Sequence, residues 1–165
     1  MVVPFKSNLC AMSENKISLL YVDDEENNLM SFKATFRLKY NVAIAMSGDE
    51  AYNILKRKPI DIIITDQRMP NMTGIQFLEK ILVEFPDPIR ILLTGYADLN
   101  AVIDAVNKGK IYHYLAKPWI EEEIHMTIRR AYETYLDKLK IKDLNEKLLI
   151  SNDQLEFLLR QKLVS

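Results

Sequence analysis

The chain has 165 residues, of which 48% are hydrophobic and 27% charged, and its formal net charge is −1. Its length suffices for one domain with a core of its own and an appendage. Because the charge is close to zero and no basic run with interleaved aromatic residues occurs, we expect no direct binding of nucleic acid. No apolar stretch approaches the roughly 20 residues that span a bilayer, so we expect a cytoplasmic protein.

The first residues, MVVPFKSNLCAM, contain a lysine and no continuous apolar run. They therefore make a poor signal peptide, and we predict that residues 1–12 form a disordered leader. The single cysteine, Cys10, lies in this segment, and one cysteine cannot form an internal disulfide. The folded domain is expected to begin near Ser13.

Five short apolar runs, rich in β-branched residues, recur at roughly regular spacing along the chain. Three of them, ISLLYV, IDIIIT and RILLT, are nearly continuous in apolar character. Strands that are buried on both faces have this pattern, which is typical of a parallel sheet covered by helices on each side. The five predicted strands are Ile17–Val22, Asn41–Met46, Ile60–Thr65, Arg90–Thr94 and Ile111–Leu115.

The segments between these runs have the apolar spacing of amphipathic helices. Strands that alternate with helices of about three turns imply right-handed βαβ crossovers. We therefore predict a doubly wound α/β domain with a five-stranded parallel sheet over residues 13–136. The helical stripes are Leu29, Phe32 and Phe36; Ala51, Ile54 and Leu55; Ile75, Leu78, Ile81 and Leu82; and Ala101, Val102, Ala105 and Val106.

Polar side chains follow four of the five predicted strands. Asp23 and Asp24 come after the first, Asp66 after the third, Thr94 ends the fourth, and Lys117 follows the fifth. In sheets of this kind the ligand site lies beyond the carboxyl ends of the strands. Three carboxylates, a hydroxyl and an ammonium are thus expected to meet at one edge.

Carboxylates packed together repel one another by about 4 kcal/mol per pair at about 4 Å and an effective dielectric near 20. Mg²⁺ would relieve this repulsion, since it favours a few carboxylates together with open positions for water and phosphate oxygens. A carboxylate beside such a metal can attack phosphorus as a nucleophile. Lys117 and Thr94 can then bind the phosphoryl oxygens, and Gly95 leaves room for the donor.

Four segments carry a family resemblance, namely LLYVDDE, IIITDQRMPNMTG, RILLTGY and YLAKPW. In this order and spacing they resemble the receiver domain of bacterial two-component response regulators, over roughly residues 16–135. The resemblance implies a flavodoxin-like or CheY-like fold and a phosphorylation-dependent signalling switch. It also implies no enzymatic activity beyond self-catalysed phosphoryl acceptance and slow autodephosphorylation.

The resemblance also implies roles for individual residues. Asp66 would accept phosphate from a histidine kinase or a phosphotransfer protein, and Lys117 would bind that phosphate. The peptide bond between Lys117 and Pro118 would be cis. The signal would leave through the face formed by the fourth helix, the fifth strand and the fifth helix. The implied Mg²⁺ ligands are Asp23, Asp24, Asp66 and the backbone carbonyl of Arg68, and the implied switch pair is Thr94 and Tyr114.

Two further residues flank the expected path of an attacking water. Arg68 lies two positions after Asp66, and Tyr96 lies two positions after Thr94. We expect them to set the lifetime of the phosphoryl group. The segments DQRMP, LTGYAD and IYHYLAKPW also resemble receivers that are joined to separate output modules, and no output domain is present within these residues.

Each site residue alone has an ordinary structural explanation. Asp23 and Asp24 precede a predicted helix and could be N-caps, and Asp66 precedes turn-forming residues. Lys117 alone would be a solvated surface charge. These explanations would have to hold together at matching strand ends, which favours the phosphoryl site.

The C-terminal segment, residues 137–165, has no proline or glycine and is predicted to extend the last helix. If helical throughout, residues 120–163 would be about 66 Å long. We predict a parallel coiled coil that forms a homodimer, and the alternative is a helix folded back on its own domain. Ser151 to Gln154 also resemble a capping box, so the helix could restart there. One apolar stripe is Ile128, Tyr132, Tyr135 or Leu136, and Leu139; the other is Ile141, Leu144, Leu148, Ser151, Leu155 and Leu158.

Two other functions compete with the switch. A phosphohydrolase with an aspartyl nucleophile usually has a general acid two residues after the nucleophile, where this chain has Arg68. A receiver that serves only as a constitutive dimerisation scaffold would not need the complete set of site residues. Both alternatives are therefore less favoured than the switch.

Overall fold

A sheet of five parallel strands forms the centre of the protein, for which a computed structural model describes residues 16–165 and all of their side chains except that of Tyr96. The predicted leader, residues 1–12, lies outside the described residues. The strand order β2-β1-β3-β4-β5 confirms the predicted doubly wound fold. The strands are β1 (Ser18–Val22), β2 (Asn41–Ala45), β3 (Ile62–Asp66), β4 (Ile89–Thr94) and β5 (His113–Ala116).

Helices cover both faces of the sheet, as the nearly continuous apolar strands predict. The first and last helices pack on one face and the three middle helices on the other. The bounds are α1 (Glu26–Phe36), α2 (Gly48–Arg57), α3 (Gly74–Leu82), α4 (Leu99–Asn107) and α5 (Glu121–Val164), with a short 3₁₀ turn at Tyr96–Asp98 before α4.

Small differences from the predicted elements have local causes. Ile111 is buried as predicted, but its N–H points to the carbonyl of Ala105 in α4, so β5 begins only at His113. Ala101 lies in the predicted stripe of α4 and is exposed, whereas Phe77 of α3 is buried and was not in the predicted stripe. The packing of neighbouring helices decides such positions, and periodicity alone does not.

The order in which successive strands are added to the sheet reverses between β1 and β3. These two strands are neighbours, with Leu19 opposite Ile62 and Val22 opposite Thr65. Connections leave their carboxyl ends towards opposite faces, and this divergence opens a crevice at the switch point. Asp23 and Asp66 therefore lie beside the crevice.

Helix α5 is continuous over 44 residues, so the restart predicted at Ser151 is wrong. Good helix formers lie on both sides of that position, and an unbroken helix keeps every backbone hydrogen bond. Ile124, Ile128 and Ala131 are fully buried against the sheet, with Tyr132 packed beside them. The first predicted stripe thus covers the chain's own core.

Beyond this packed part, α5 runs into solvent. Every residue from 140 to 165 is exposed, so the alternative of a segment folded back on the domain does not hold. Lys142 still reaches Asp87, with Nζ 3.5 Å from Oδ2. No helix among the described residues has both the length and the apolar character that a membrane span requires.

Candidate functional site at the carboxyl edge of the sheet

Asp66 is the last residue of β3 and the centre of the site. Its exposed fraction is 7%, and the ammonium Nζ of Lys117 lies 2.8 Å from its Oδ1. Lys117 directly follows β5, and its backbone is held by the neighbouring strand β4, because its N–H donates to the carbonyl of Thr94. The bond from Lys117 to Pro118 is cis. The cis bond agrees with the family expectation.

Asp23 follows β1 and is completely buried. The Tyr21 hydroxyl and the Asn28 amide donate to its Oδ2 at 2.8 and 3.1 Å, and the Glu25 N–H donates to Oδ1 at 3.0 Å. Lys117 Nζ lies 3.6 Å from the same Oδ2. These donors hold a buried carboxylate in one orientation beside Asp66.

The predicted acidic cluster is present. Asp23, Asp24 and Asp66 each offer a carboxylate oxygen, and these oxygens all lie within 4.8 Å of one another. Three hard oxygen donors, one of them from the half-buried Asp24, suit Mg²⁺. The residues therefore fit the metal that the family binds at this pocket.

Burial and charge change the acid–base properties of the pair. Burial raises the pKa of the Asp66 carboxyl and the charge of Asp23 raises it further, while Lys117 opposes both effects without cancelling them. Burial acts to lower the pKa of Lys117, but Asp66 and Asp23 outweigh it and the pKa is raised. Lys117 therefore stays protonated, and it lies next to a carboxyl group whose ionised form is disfavoured.

Thr94 and Tyr114 lie on neighbouring strands. Thr94 ends β4, is almost fully buried, and its hydroxyl donates to the Gly95 carbonyl at 3.0 Å. Tyr114 lies opposite Leu92 in the β4–β5 register. It is half-buried on the face of the sheet that α2, α3 and α4 cover. A Cβ added at Gly95 would meet no atom within 4 Å outside its chain neighbours, which is compatible with the expected room for a phospho-donor.

Arg68 points away from the core. Its side chain is exposed, and its Nε lies 3.0 Å from Oδ2 of Asp98. The backbone of Tyr96 lies in the 3₁₀ turn after β4, and its side chain lies outside the described part of the structure. The ion pair thus joins the loop after β3 to the loop after β4.

Four residues that support the site were missed from the sequence. Tyr21 could have been found, because residues two apart on a strand share a face and Tyr21 precedes Asp23 by two. Asn28 and Asp98 gave no signal, since their contacts depend on loop geometry. Gln67 is buried and accepts the N–H of Ile75 at 3.0 Å, which seats α3 on the end of β3.

Gly74 also shapes the site. An added Cβ there would collide with the carbonyl oxygen of Asp66, and the Gly74 N–H donates to the Gln67 carbonyl at 3.0 Å. Only a residue without a side chain lets α3 begin directly against the end of β3. The close approach fixes the backbone that carries Asp66.

Residues 19–129 match the response regulator receiver domain family, and the chain belongs to this family. It is 37% identical over 122 residues to the hydrogenase transcriptional regulatory protein HoxA of Cupriavidus necator. That alignment covers 74% of this chain and 25% of the relative. The chain thus spans about a quarter of the length of the first curated relatives that it matches.

Solved structures agree with this assignment. A response regulator receiver domain protein from Clostridium thermocellum is 31% identical with a TM-score of 0.69, and the match covers 74% of this chain and 98% of that one. An adenylate cyclase structure from Rhodopirellula baltica is 29% identical with a TM-score of 0.77, covering 80% and 98%. Family membership gives the chain a phosphorylation-dependent signalling role.

Proposed function

We propose that this chain is a signalling switch that takes a phosphoryl group onto Asp66 from a phosphohistidine of a histidine kinase or phosphotransfer protein. The observation that carries the proposal is the pairing of Asp66 with Lys117 inside the cluster of three carboxylates. A structural ion pair would not need two further carboxylates beside it. A phosphoryl acceptor with a metal site does need them.

The transfer is a displacement at phosphorus. A carboxylate oxygen of Asp66 forms the new P–O bond while the P–N bond to the donor imidazole breaks, and its electron pair leaves with the imidazole, which takes up a proton. Asp23, Asp24 and Asp66, with the backbone carbonyl of Arg68, would hold Mg²⁺. When bound, Mg²⁺ supplies charge neutralisation and aligns the phosphoryl oxygens.

Two side chains then change partners. Lys117 moves from the Asp66 carboxylate to a phosphoryl oxygen, and its raised pKa keeps it charged for that role. The Thr94 hydroxyl, which donates to the Gly95 carbonyl here, turns to donate to another phosphoryl oxygen. The space that Thr94 leaves is filled by Tyr114, which carries the change to the face formed by α4, β5 and α5.

The phosphoryl group is lost slowly by attack of water. Arg68 and Tyr96 set its lifetime, because both belong to the loops that flank the acceptor. No general acid occupies the position two residues after Asp66, since that residue is the exposed Arg68. Turnover of an external phosphoester is therefore not expected.

The receiver domain spans residues 13–136, and residues 137–165 form a helical extension that mediates a parallel homodimer. The second apolar stripe supports this proposal, since its large apolar side chains are all more than half exposed and, counting Ser151, its positions follow one another at steps of three and four residues. In a longer regulator the same helix would lead to an output module. The stripe is Ile141, Leu144, Leu148, Leu155 and Leu158.

The acceptor is tested by intact-mass measurement after incubation with acetyl phosphate and Mg²⁺. Wild type should gain one phosphoryl group and Asp66→Asn none. Asp104→Asn is the matched control, because Asp104 is an exposed carboxylate of α4 that pairs with Lys108, and it should behave as wild type. No uptake by wild type would contradict the proposal and leave a constitutive scaffold.

A further inference from the structure

Asp98 is the N-cap residue of α4, and its side chain makes no capping hydrogen bond. The N-caps of α2 and α3 behave differently. Ser47 accepts the N–H of Glu50, and Thr73 accepts the N–H of Gln76 in a complete capping box. Aspartate is among the best N-cap residues, so the absence of a capping hydrogen bond from Asp98 requires an explanation.

The carboxylate of Asp98 is used elsewhere. Arg68 Nε lies 3.0 Å from Asp98 Oδ2, with the two side chains 72% and 28% exposed. Asp98 has φ −109° and ψ 14°, outside the extended conformation of the caps at Ser47 and Thr73. The ion pair and the unusual cap conformation therefore occur together.

Arg68 is the partner that phosphorylation would affect. It lies two residues after Asp66, and a phosphoryl group there adds negative charge and acceptor oxygens that arginine binds well. Ion pairs as exposed as Arg68–Asp98 contribute little to stability. Arg68 can consequently leave Asp98 at small cost when a stronger anion appears beside it.

We propose that Asp98 alternates between two roles: it pairs with Arg68 when Asp66 is unmodified, and it caps α4 when the phosphoryl group recruits Arg68. Capping places the carboxylate on the N–H groups of Asn100 or Ala101, which begin α4. The state of Asp66 is thereby conveyed to the start of α4 by a change of partner in which the backbone of Asp98 becomes extended. This inference rests on the proposed function of Asp66.

The test is amide hydrogen exchange at Asn100 and Ala101, measured by NMR with and without Mg²⁺ and beryllofluoride as the phosphoryl mimic. In wild type, beryllofluoride should slow exchange at these two amides about fivefold, the effect of a typical cap. Asp98→Ala, which can neither pair nor cap, should show no slowing. Asp104→Asn, further along α4, should respond as wild type.

Arg68→Ala tests the exchange of partners without any phosphoryl group. It frees Asp98, so Asn100 and Ala101 should already exchange about fivefold more slowly than in wild type. Asp98→Asn should do the same, because asparagine caps well and cannot form the ion pair. Unchanged exchange in both variants would overturn the inference whatever beryllofluoride does.

Failure of the inference is distinguishable from failure of the proposed function. Beryllofluoride binding is followed separately by the fluorescence of Trp119, the only tryptophan, which lies directly after Pro118. A fluorescence response that depends on Asp66, together with unchanged exchange at Asn100 and Ala101, would contradict the partner exchange and leave the acceptor role intact. No fluorescence response together with no phosphoryl uptake in the intact-mass measurement would contradict the acceptor role, and the Arg68→Ala comparison would still decide the inference.

Discussion

The two halves of α5 have similar apolar patterns and opposite surroundings. In residues 121–139 one apolar stripe covers the sheet, and its members Ile124 and Ile128 are completely buried. From residue 140 onward every side chain is exposed, including large apolar ones such as Ile141 and Leu148. Periodicity thus predicts that a helix face will be covered, and it does not tell which surface covers it.

The difference has a consequence for function. The packed half ties α5 to the core of the receiver, because its buried side chains lie in one cluster with those of the sheet. The exposed half is available to a second chain and is continuous with the packed half, without a break at Ser151. A continuous helix that joins the receiver to the proposed dimer contact suits the transmission of a rearrangement.

The largest expected effect compares two isoleucines of α5. Ile128→Ala removes a fully buried side chain and should lower the free energy of unfolding by about 2–5 kcal/mol. Ile141→Ala makes the same chemical change at a side chain that is 58% exposed. In dilute monomer it should be nearly neutral, at about 0.5 kcal/mol or less.

Urea denaturation of both variants at low protein concentration measures this difference. Equal losses of unfolding free energy at the two positions would mean that the exposed, outer half of α5 (from residue 140 onward) is also packed within one chain. That result would contradict the division of α5 into two regions.

The next effect concerns charge. Lys117→Ala leaves the buried carboxylates of Asp23 and Asp66 without their ammonium and should destabilise the metal-free protein by about 1–3 kcal/mol. The estimate is below that for a fully buried pair because the Lys117 side chain is 31% exposed. Mg²⁺ should restore much of the loss by supplying positive charge at the same carboxylates.

Lys147→Ala is the matched control in the outer half of α5. Lys147 pairs with Asp143 at 2.8 Å on the exposed surface, so its removal should leave thermal stability unchanged with and without Mg²⁺. A Lys117→Ala variant as stable as Lys147→Ala would show that the three carboxylates do not repel one another appreciably.

A smaller effect should appear in the pH dependence of stability. The pKa of Asp66 is raised in the folded protein by burial and by Asp23, so the folded state binds more protons than the unfolded state between the ordinary and the raised value. The contribution of Asp66 to the free energy of unfolding is therefore present at pH values below its ordinary pKa. It is lost as the pH rises through the raised pKa.

Metal-free Asp66→Asn should lack this pH-dependent contribution to the free energy of unfolding, and it should be more stable than wild type at neutral pH. Urea titrations across the acidic range measure the slope, with Asp153→Asn in the outer half as the control that keeps it. A slope that is identical in wild type and Asp66→Asn would contradict the raised pKa.

The sequence predicted most of the fold because buried parallel strands give long apolar runs. All five strands and the first four helices were placed, with shifts at their ends. The start of β5 was misplaced because Ile111 is buried outside the strand ladder, and burial and strand pairing look alike in sequence. The restart at Ser151 was predicted from a local capping pattern that the surrounding helix formers override.

The candidate site was predictable where it depends on strand ends. Asp23, Asp66 and Lys117 meet as expected, because neighbouring parallel strands end at one edge. The Arg68–Asp98 pair was not predictable, because it joins loops whose positions depend on the packing of α3 and α4. Of the donors around Asp23, Tyr21 was predictable, whereas Glu25 and Asn28 depend on the geometry of the loop between β1 and α1.

The most direct test of the account is the solution mass by light scattering, with and without Mg²⁺ and beryllofluoride. Wild type should have twice the mass of one chain and a dissociation constant that changes with beryllofluoride. Leu148→Glu should reduce the mass to one chain, and Asp66→Asn should abolish the response to beryllofluoride. The mass of one chain for wild type in both conditions would contradict the dimer, and a dimer indifferent to beryllofluoride would contradict its control by Asp66.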